Sequence, residues 1–298
     1  MQFKFINPFK LSIIGADSLG VRSLATFVNS CNKNIGIDLG ASLAPRRYGL
    51  PPHQLELDKL NYTMKEIKEA ISMSNIIIIT HYHYDHYVRN SPELYYGKIL
   101  LIKDPGKNIN RSQSYRAKVF LKDNKVEEHA NVSIADNKTF QFDNLKIDFS
   151  KPVWHGEENT KIGKLIMLRI TCENKSLIYA SDVQGPGNKE ALDTLLDWKG
   201  AELLIISGPP TYFAGYKVSE EAVEKGLNNL KEVIENNVAK IVVVDHHLLR
   251  DINYKEKLKE HYKIAEKLNI KLLTSAELMG IEINQLEAKR KELWKNLK

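Results

Sequence analysis

The segment best suited to chemistry is His81-Tyr82-His83-Tyr84-Asp85-His86, which leaves the apolar run Ile76-Ile77-Ile78-Ile79-Thr80 directly. Imidazole nitrogen and carboxylate oxygen are ligands for Zn²⁺, and also for Mn or Fe. Alternate residues of an extended strand point the same way, so His81 and His83 can reach one ion. The turn that follows swings Asp85 and His86 to the other side, where a second ion fits. Burying four such groups without a cation would be costly. A two-ion site needs further ligands, and candidates stand where other apolar runs end. Asp38 follows Ile35-Gly36-Ile37, and His155 follows Val153-Trp154. Asp182 follows Leu177-Ile178-Tyr179-Ala180-Ser181, and His246 and His247 follow Val242-Val243-Val244-Asp245. Singly these are weak signals, because Asp at a strand end is commonly a turn former.

The elements that must position them are short, often β-branched runs bounded by Gly, Pro, Asn or Asp. They are Leu11–Ile14, Ile35–Leu39, Ile76–Thr80, Ile99–Ile102, Leu145–Phe149, Leu165–Thr171, Leu177–Ala180, Leu203–Ser207 and Ile241–Val244. The wholly apolar runs Ile76–Ile79 and Ile241–Val244 predict central strands covered on both faces. Helices are expected from a Thr63/Glu66 capping box towards Met73, over Lys189–Leu196, from Ser219 to about Asn236, over Asn253–Leu268, and over a charged surface segment Glu282–Leu297. Strand-rich sheets inside helices give an α/β expectation. Ala41–Lys59, with Pro45, Arg46, Arg47, Pro51, Pro52 and His53, reads as a rigid functional loop.

At 298 residues, 43% hydrophobic and 27% charged, the chain can bury a core, which excludes a disordered protein, a collagen-like repeat and a disulfide mini-protein. No run is long enough to span a membrane, and the N-terminal residues lack the apolar core of a signal peptide. The net charge of +6 admits an anionic substrate without indicating nucleic acid. Two cysteines, Cys31 and Cys172, with no CxxC, suggest neither a disulfide framework nor a cysteine metal site, and make a reducing cytoplasm the expectation. The aromatic–basic interleaving of a single-strand RNA platform is not visible along the chain.

In the order strand–Asp, strand–HxHxDH, strand–His, strand–Asp, strand–His, the sequence resembles the metallo-β-lactamase fold superfamily over nearly its whole length. The segments Ala16-Asp17-Ser18-Leu19-Gly20-Val21-Arg22-Ser23 and Leu43-Ala44-Pro45-Arg46-Arg47-Tyr48-Gly49-Leu50-Pro51-Pro52-His53 look most like a largely archaeal family of predicted metal-dependent hydrolases with no assigned substrate. The resemblance implies one four-layer αββα domain over residues 1–298, helical towards the C-terminus from about 253, with metals at one sheet edge. The interval from Asp182 to His246 is too short for the large inserted domain of the β-CASP nucleases, and both His81 and His83 are present, unlike in the iron flavoprotein branch.

By the same resemblance, His81, His83 and His155 hold one metal, Asp85, His86 and His246 hold the other, and Asp182 bridges them. Asp38 orients a ligand imidazole from behind. Asp245 fills the small polar position before the last ligand, which favours His246 over His247 as that ligand. His247 and His53 then stand as candidate proton donors to a leaving group. Arg22, Arg46 and Arg47 follow the first two strand ends and are candidate clamps for an anionic substrate. Tyr82, Tyr84 and Tyr87 are candidate pocket walls. The expected function is hydrolysis of a phosphodiester or other anionic ester by metal-activated hydroxide, with two divalent ions, Zn first and Mn or Fe next. The expected partner is a small anionic substrate or a nucleic-acid end, with no membrane. The alternatives are a thioester or lactone hydrolase of glyoxalase type, or an RNA-binding or regulatory protein whose metal site is not catalytic.

Overall fold

The run Ile76–Ile79 is apolar throughout because both of its faces are covered. In the computed structural model, which describes residues 1–295, Ile76 and Ile78 pack inward against a second sheet and Ile77 and Ile79 pack outward beneath helices. The first sheet runs in chain order through β1 (Lys4–Ile6), β2 (Phe9–Ile13), β3 (Thr26–Ser30), β4 (Lys33–Ile37), β5 (Ile76–Ile79), β6 (Ile99–Ile102) and β7 (Asn131–Ile134). Its first four strands form an antiparallel meander, and β4 to β7 are parallel. The second sheet contains β8 (Thr139–Phe142), β9 (Leu145–Phe149), β12 (Leu168–Cys172), β13 (Lys175–Ala180), β14 (Ala201–Ser207), β15 (Ala239–Asp245) and β16 (Lys271–Leu273), in the order β16-β15-β14-β13-β12-β9-β8. Here β13 to β16 are parallel and the rest antiparallel. A two-stranded ribbon of β10 (Val153–Trp154) and β11 (Lys164–Leu165) stands apart.

One core fills the space between the sheets, with Leu11, Ile35, Ile78, Ile147, Leu177 and Ile205 among its members. A second lies between the outer face of the second sheet and α4 (Lys189–Asp197), α5 (Glu220–Glu235) and α7 (Lys259–Lys267). A third lies between the outer face of the first sheet and α1 (Gln54–Met73), α2 (Arg111–Lys118) and α3 (Val126–His129). This is the expected four-layer αββα sandwich. Short helices α6 (Tyr254–Lys257) and α8 (Ser275–Met279) and the C-terminal α9 (Arg290–Lys295) complete it.

Several elements depart from the sequence reading, each for a local reason. Helix α1 begins at Gln54, not near Thr63, so the loop after β4 ends at His53. The His53 ring accepts from Leu55 N while Glu56 returns to the His53 N–H, which is the actual capping box, and Thr63 is a buried mid-helix residue. The run Leu165–Thr171 is broken because Ile166 N donates to Thr80 O, crossing to the first sheet, and Met167 N donates to the Ser150 hydroxyl. Cys31 and Cys172, which suggested no disulfide framework, form a disulfide with Cα atoms 6.0 Å apart. Packing of the β3–β4 turn onto the end of β12 brings them together across 141 positions, which no local spacing could announce.

The expected surface helix Glu282–Leu297 is helical only over Arg290–Lys295, and its residues 296–297 lie outside the described residues. Two of its charges, Glu287 and Arg290, point inward, while Glu282, Lys291, Glu292 and Lys295 are exposed. Glu287 takes two hydrogen bonds of 2.6 Å from the Arg22 guanidinium, and the fully buried Arg290 holds Glu56 through bonds of 2.7 and 2.8 Å. Gln285 donates to the carbonyls of Leu249 and Asp251. The segment is a strap across the loop after β4, the turn after β2 and the turn after β15. Removing one partner of a buried ion pair strands the other charge, so Arg290→Met should destabilise the chain by about 3–5 kcal/mol. Adding Glu56→Gln, which removes the stranded charge and keeps an oxygen to accept from the His53 N–H, should recover part of that loss. Urea unfolding of both variants measures the difference.

Candidate metal centre

The C-terminal ends of β4, β5, β10, β13 and β15 deliver their polar residues to one place. Three of these residues leave their strands in the left-handed region, Asp38 at φ 47°, Asp182 at φ 54° and His246 at φ 60°. Such backbone is sparsely populated by residues with a Cβ, though Asp and His tolerate it better than most, and it clusters at functional sites. Gly40 makes room for the first of these turns. A Cβ there would lie 2.7 Å from the His86 carbonyl carbon and 2.9 Å from its nitrogen.

Asp182, almost fully buried, sits at the centre. Its Oδ2 lies 2.9 Å from His155 Nε2, 3.2 Å from His81 Nε2, 3.5 Å from His86 Nε2 and 3.8 Å from His83 Nδ1. Its Oδ1 lies 3.1 Å from His246 Nε2. The Asp85 carboxylate faces the same His86 and His246 nitrogens at 3.9 and 3.7 Å. Ligand atoms of His81, His83, His155 and Asp182 form one group within 4.8 Å of one another, and those of Asp85, His86 and His246 form another. The buried Nε2 of His86 aims into this space with no hydrogen-bond partner. Nitrogen and carboxylate donors converging around such an orphaned atom fit a divalent cation.

Carboxylates also stand behind the rear nitrogens. Asp38 Oδ2 lies 3.1 Å from His86 Nδ1, and Asp38 is itself fixed by the Thr80 N–H and hydroxyl and by the Tyr179 hydroxyl. Asp17 Oδ2 lies 2.9 Å from His246 Nδ1, and its other oxygen accepts from Arg250 Nε at 3.1 Å. Asp17 and Arg250 were missed by the sequence reading. Asp17 carries the same signal as Asp38, an aspartate just past an early strand. Arg250 carries none, being placed only by the 3-10 turn His246–Arg250.

The electrostatics follow from burial opposed by charge. Burial pushes the His81 and His83 imidazoles below the ordinary histidine range. Burial acts likewise on His86, but Asp182, Asp38 and Asp85 outweigh it and hold that imidazole well above the range. His246 is raised to about 9 because Asp182 and Asp17 overcome burial and Arg250. The surrounding imidazoles, His246 first, overcome burial to hold the Asp182 carboxyl well below its usual value. His247 is pushed well down, by burial and then by Arg250.

The centre opens into a cleft of about 1300 Å³. His83, Asp85, His155, Asp182 and His247 line it, and the remaining proposed ligands lie behind. Of the candidate clamps, Arg22 reaches the cleft with its charge committed to Glu287, which corrects its reading as a free anion binder. Arg46 is exposed on the rim. Arg47 stacks on Tyr212 and Tyr48, with its guanidinium carbon 4.3 and 4.7 Å from the ring centroids, and donates to the Arg250 carbonyl. His53 is not a cleft residue: it caps α1 and meets Trp294 edge-on at 5.5 Å. Tyr84 walls the cleft, Tyr87 is buried but lines a smaller cavity beside it, and Tyr82 is packed in the core.

The fold is the αββα sandwich expected of the metallo-β-lactamase superfamily. Among solved structures, an isothiocyanate hydrolase from Delia radicum gut bacteria matches with a TM-score of 0.53 and 17% identity, covering 85% of this chain and 94% of that one. Zn²⁺-bound PqqB from Methylobacterium extorquens matches with a TM-score of 0.52 and 13% identity, covering 89% and 97%. No family model matches. In sequence, a UPF0282 protein of Aeropyrum pernix is 51% identical over 289 residues, 96% of this chain and 98% of that protein. One from Sulfurisphaera tokodaii is 41% identical over 295 residues, covering 96% and 93%. The chain belongs to the UPF0282 family.

Two outcomes are expected. Asp17→Ala removes the support behind His246 and should weaken metal binding roughly 10–100-fold, read by competition with a chromogenic chelator. In the metal-free chain, His246 has a folded-state value of about 9, above the unfolded 6.5. Its stabilising protonation is therefore complete below about pH 6.5 and lost as pH rises towards 9. Urea unfolding of chelator-treated protein should show stability falling across that window, and a flat profile would contradict the assignment.

Proposed function

We propose that the chain is a metal-dependent hydrolase of a phosphodiester or similarly anionic ester, holding two divalent cations. The observation that carries this is the Asp182 carboxylate, with Oδ2 among His81, His83 and His155 and Oδ1 on His246. His81, His83 and His155 would hold one cation and Asp85, His86 and His246 the other, with Asp182 between them. Bound there, such cations lower the pKa of water and stabilise negative charge on a reacting oxygen. Two adjoining groups of ligand atoms, one of His81, His83, His155 and Asp182 and one of Asp85, His86 and His246, favour a pair.

The chain's own groups complete the reading. Asp85, on the cleft wall, accepts a hydrogen bond from the attacking water and so orients it. Arg250 Nη1 lies 3.2 Å from His247 Nδ1. A guanidinium only donates, so Nδ1 accepts and the neutral ring carries its proton on Nε2. That buried Nε2 has no hydrogen-bond partner and lies 3.7 Å from Asp182 Oδ2. His247 therefore acts as a hydrogen-bond donor to substrate oxygen on which charge develops. Arg47, pre-aligned by Tyr48 and Tyr212, binds the non-reacting oxygens.

Asp182→Ala should abolish hydrolysis of bis(p-nitrophenyl) phosphate while the circular dichroism spectrum is retained. Arg47→Ala should lower kcat/KM on that diester at least about tenfold, or roughly 1.4 kcal/mol of transition-state binding, without changing metal content. Turnover of a neutral lactone or thioester with no turnover of the diester would move the assignment to a glyoxalase-like hydrolase.

A further inference from the structure

Two cavities meet at Tyr84. One is the cleft over the metal centre, and the other, of about 500 Å³, adjoins it. Tyr84, Arg89 and Arg116 wall both. The Arg89 guanidinium carbon lies 4.0 Å from the Tyr84 ring centroid and that of Arg116 lies 4.4 Å from it. Arg116 also donates to the Tyr82 carbonyl at 3.4 Å. Among the described residues, neither arginine has a carboxylate within ion-pair distance, whereas Arg22, Arg169, Arg250 and Arg290 each have one. Arg116 is thus half-buried with no carboxylate partner, as is Arg47 across the cleft, and Arg89 stands exposed beside it on the same concave wall. Stacking on one ring restricts both side chains, so less freedom is lost when they close on an anion.

The position is informative as well. Tyr84 lies between His83 and Asp85, so the two guanidinia stand against the residue that joins the two proposed ligand groups. The adjoining cavity continues over the amides of Asn90 and Asn124 to an apolar floor that includes Phe120.

We propose that Arg89 and Arg116 form a second phosphate subsite, so that the substrate carries another phosphate beside the one hydrolysed. The adjoining cavity takes the group attached to that second phosphate. The proposal rests on the hydrolase reading above and narrows its substrate to a phosphodiester with at least two phosphates. Two guanidinia provide paired N–H donors of the geometry that phosphate oxygens accept.

Two chromogenic substrates differing by one phosphate test it: thymidine 5′-(p-nitrophenyl phosphate) and its 3′-phosphorylated form. With Zn²⁺ or Mn²⁺ bound, the chain should favour the 3′-phosphorylated compound at least about tenfold in kcat/KM, and Arg89→Gln/Arg116→Gln should bring that preference to within about twofold of unity. Lys118→Gln, an exposed cation on the same helix as Arg116, should leave the preference intact. No preference in the unsubstituted chain, or a preference that survives the double substitution, overturns the subsite. If neither compound is hydrolysed, the proposed activity fails and the subsite is decided separately. Calorimetric titration of the metal-free chain must then show thymidine 3′,5′-bisphosphate binding at least about tenfold tighter than thymidine 5′-monophosphate, with the difference erased by the double substitution. Equal binding of the two nucleotides overturns it.

Discussion

A single buried carboxylate organises this molecule. Asp182 is within 4 Å of nitrogen atoms from six histidines contributed by three different strand ends. An ionised carboxylate taken from water tolerates burial only when charge of the opposite sign surrounds it. The imidazoles do this for Asp182, and Asp182 in turn pulls His86 and His246 above their ordinary range. Each group is costly alone and acceptable in company. The arrangement therefore stands or falls as a unit, and replacing any one member leaves the others uncompensated.

That unit also joins the two sheets. Asp38 and His86 belong to the first sheet, and Asp182 and His246 to the second. Asp17, from the first sheet, supports His246, and the Ser18 N–H donates to Asp245 at the end of β15. The Asp245 carboxylate also accepts from the N–H groups of His246 and Ser275. It fixes the turn that presents His246 and takes no place among the proposed ligands. At the opposite sheet edge the Cys31–Cys172 disulfide joins the same two layers covalently. The sandwich is thus fastened at both ends, by polar contacts where chemistry is proposed and by sulfur where it is not. Such a bond also weakens the link between few cysteines and a reducing compartment, since intracellular proteins of hyperthermophilic archaea retain disulfides.

What was legible in the sequence follows from how local each signal is. His81, His83, Asp85 and His86 lie within six residues after one strand, so strand geometry alone assigns their directions. Asp38, His155, Asp182 and His246 were readable from chain order because each directly follows an apolar run. Charge pairing was not readable. Arg22 looked like an anion clamp because its partner, Glu287, lies 265 positions away, and Glu287 looked like solvent-facing surface for the same reason. The aromatic–basic surface absent along the chain exists in space. Tyr84 meets Arg116 from α2, and Arg47 meets Tyr212 from the loop after β14. The Thr63/Glu66 pattern misled because a capping signature carries no information about how much helix precedes it.

The strap at 284–290 bears on how the protein is made. Synthesis is vectorial, and Glu287 and Arg290 leave the ribosome long after the residues they hold, Arg22, Leu50 and Glu56. Until they arrive, Arg22 faces the cleft without its carboxylate and the loop carrying Arg46 and Arg47 is untied. A nascent chain can therefore assemble the histidine–aspartate centre, whose last member is His247, before its entrance has taken shape. The strap is thus the last piece to reach the entrance that it shapes.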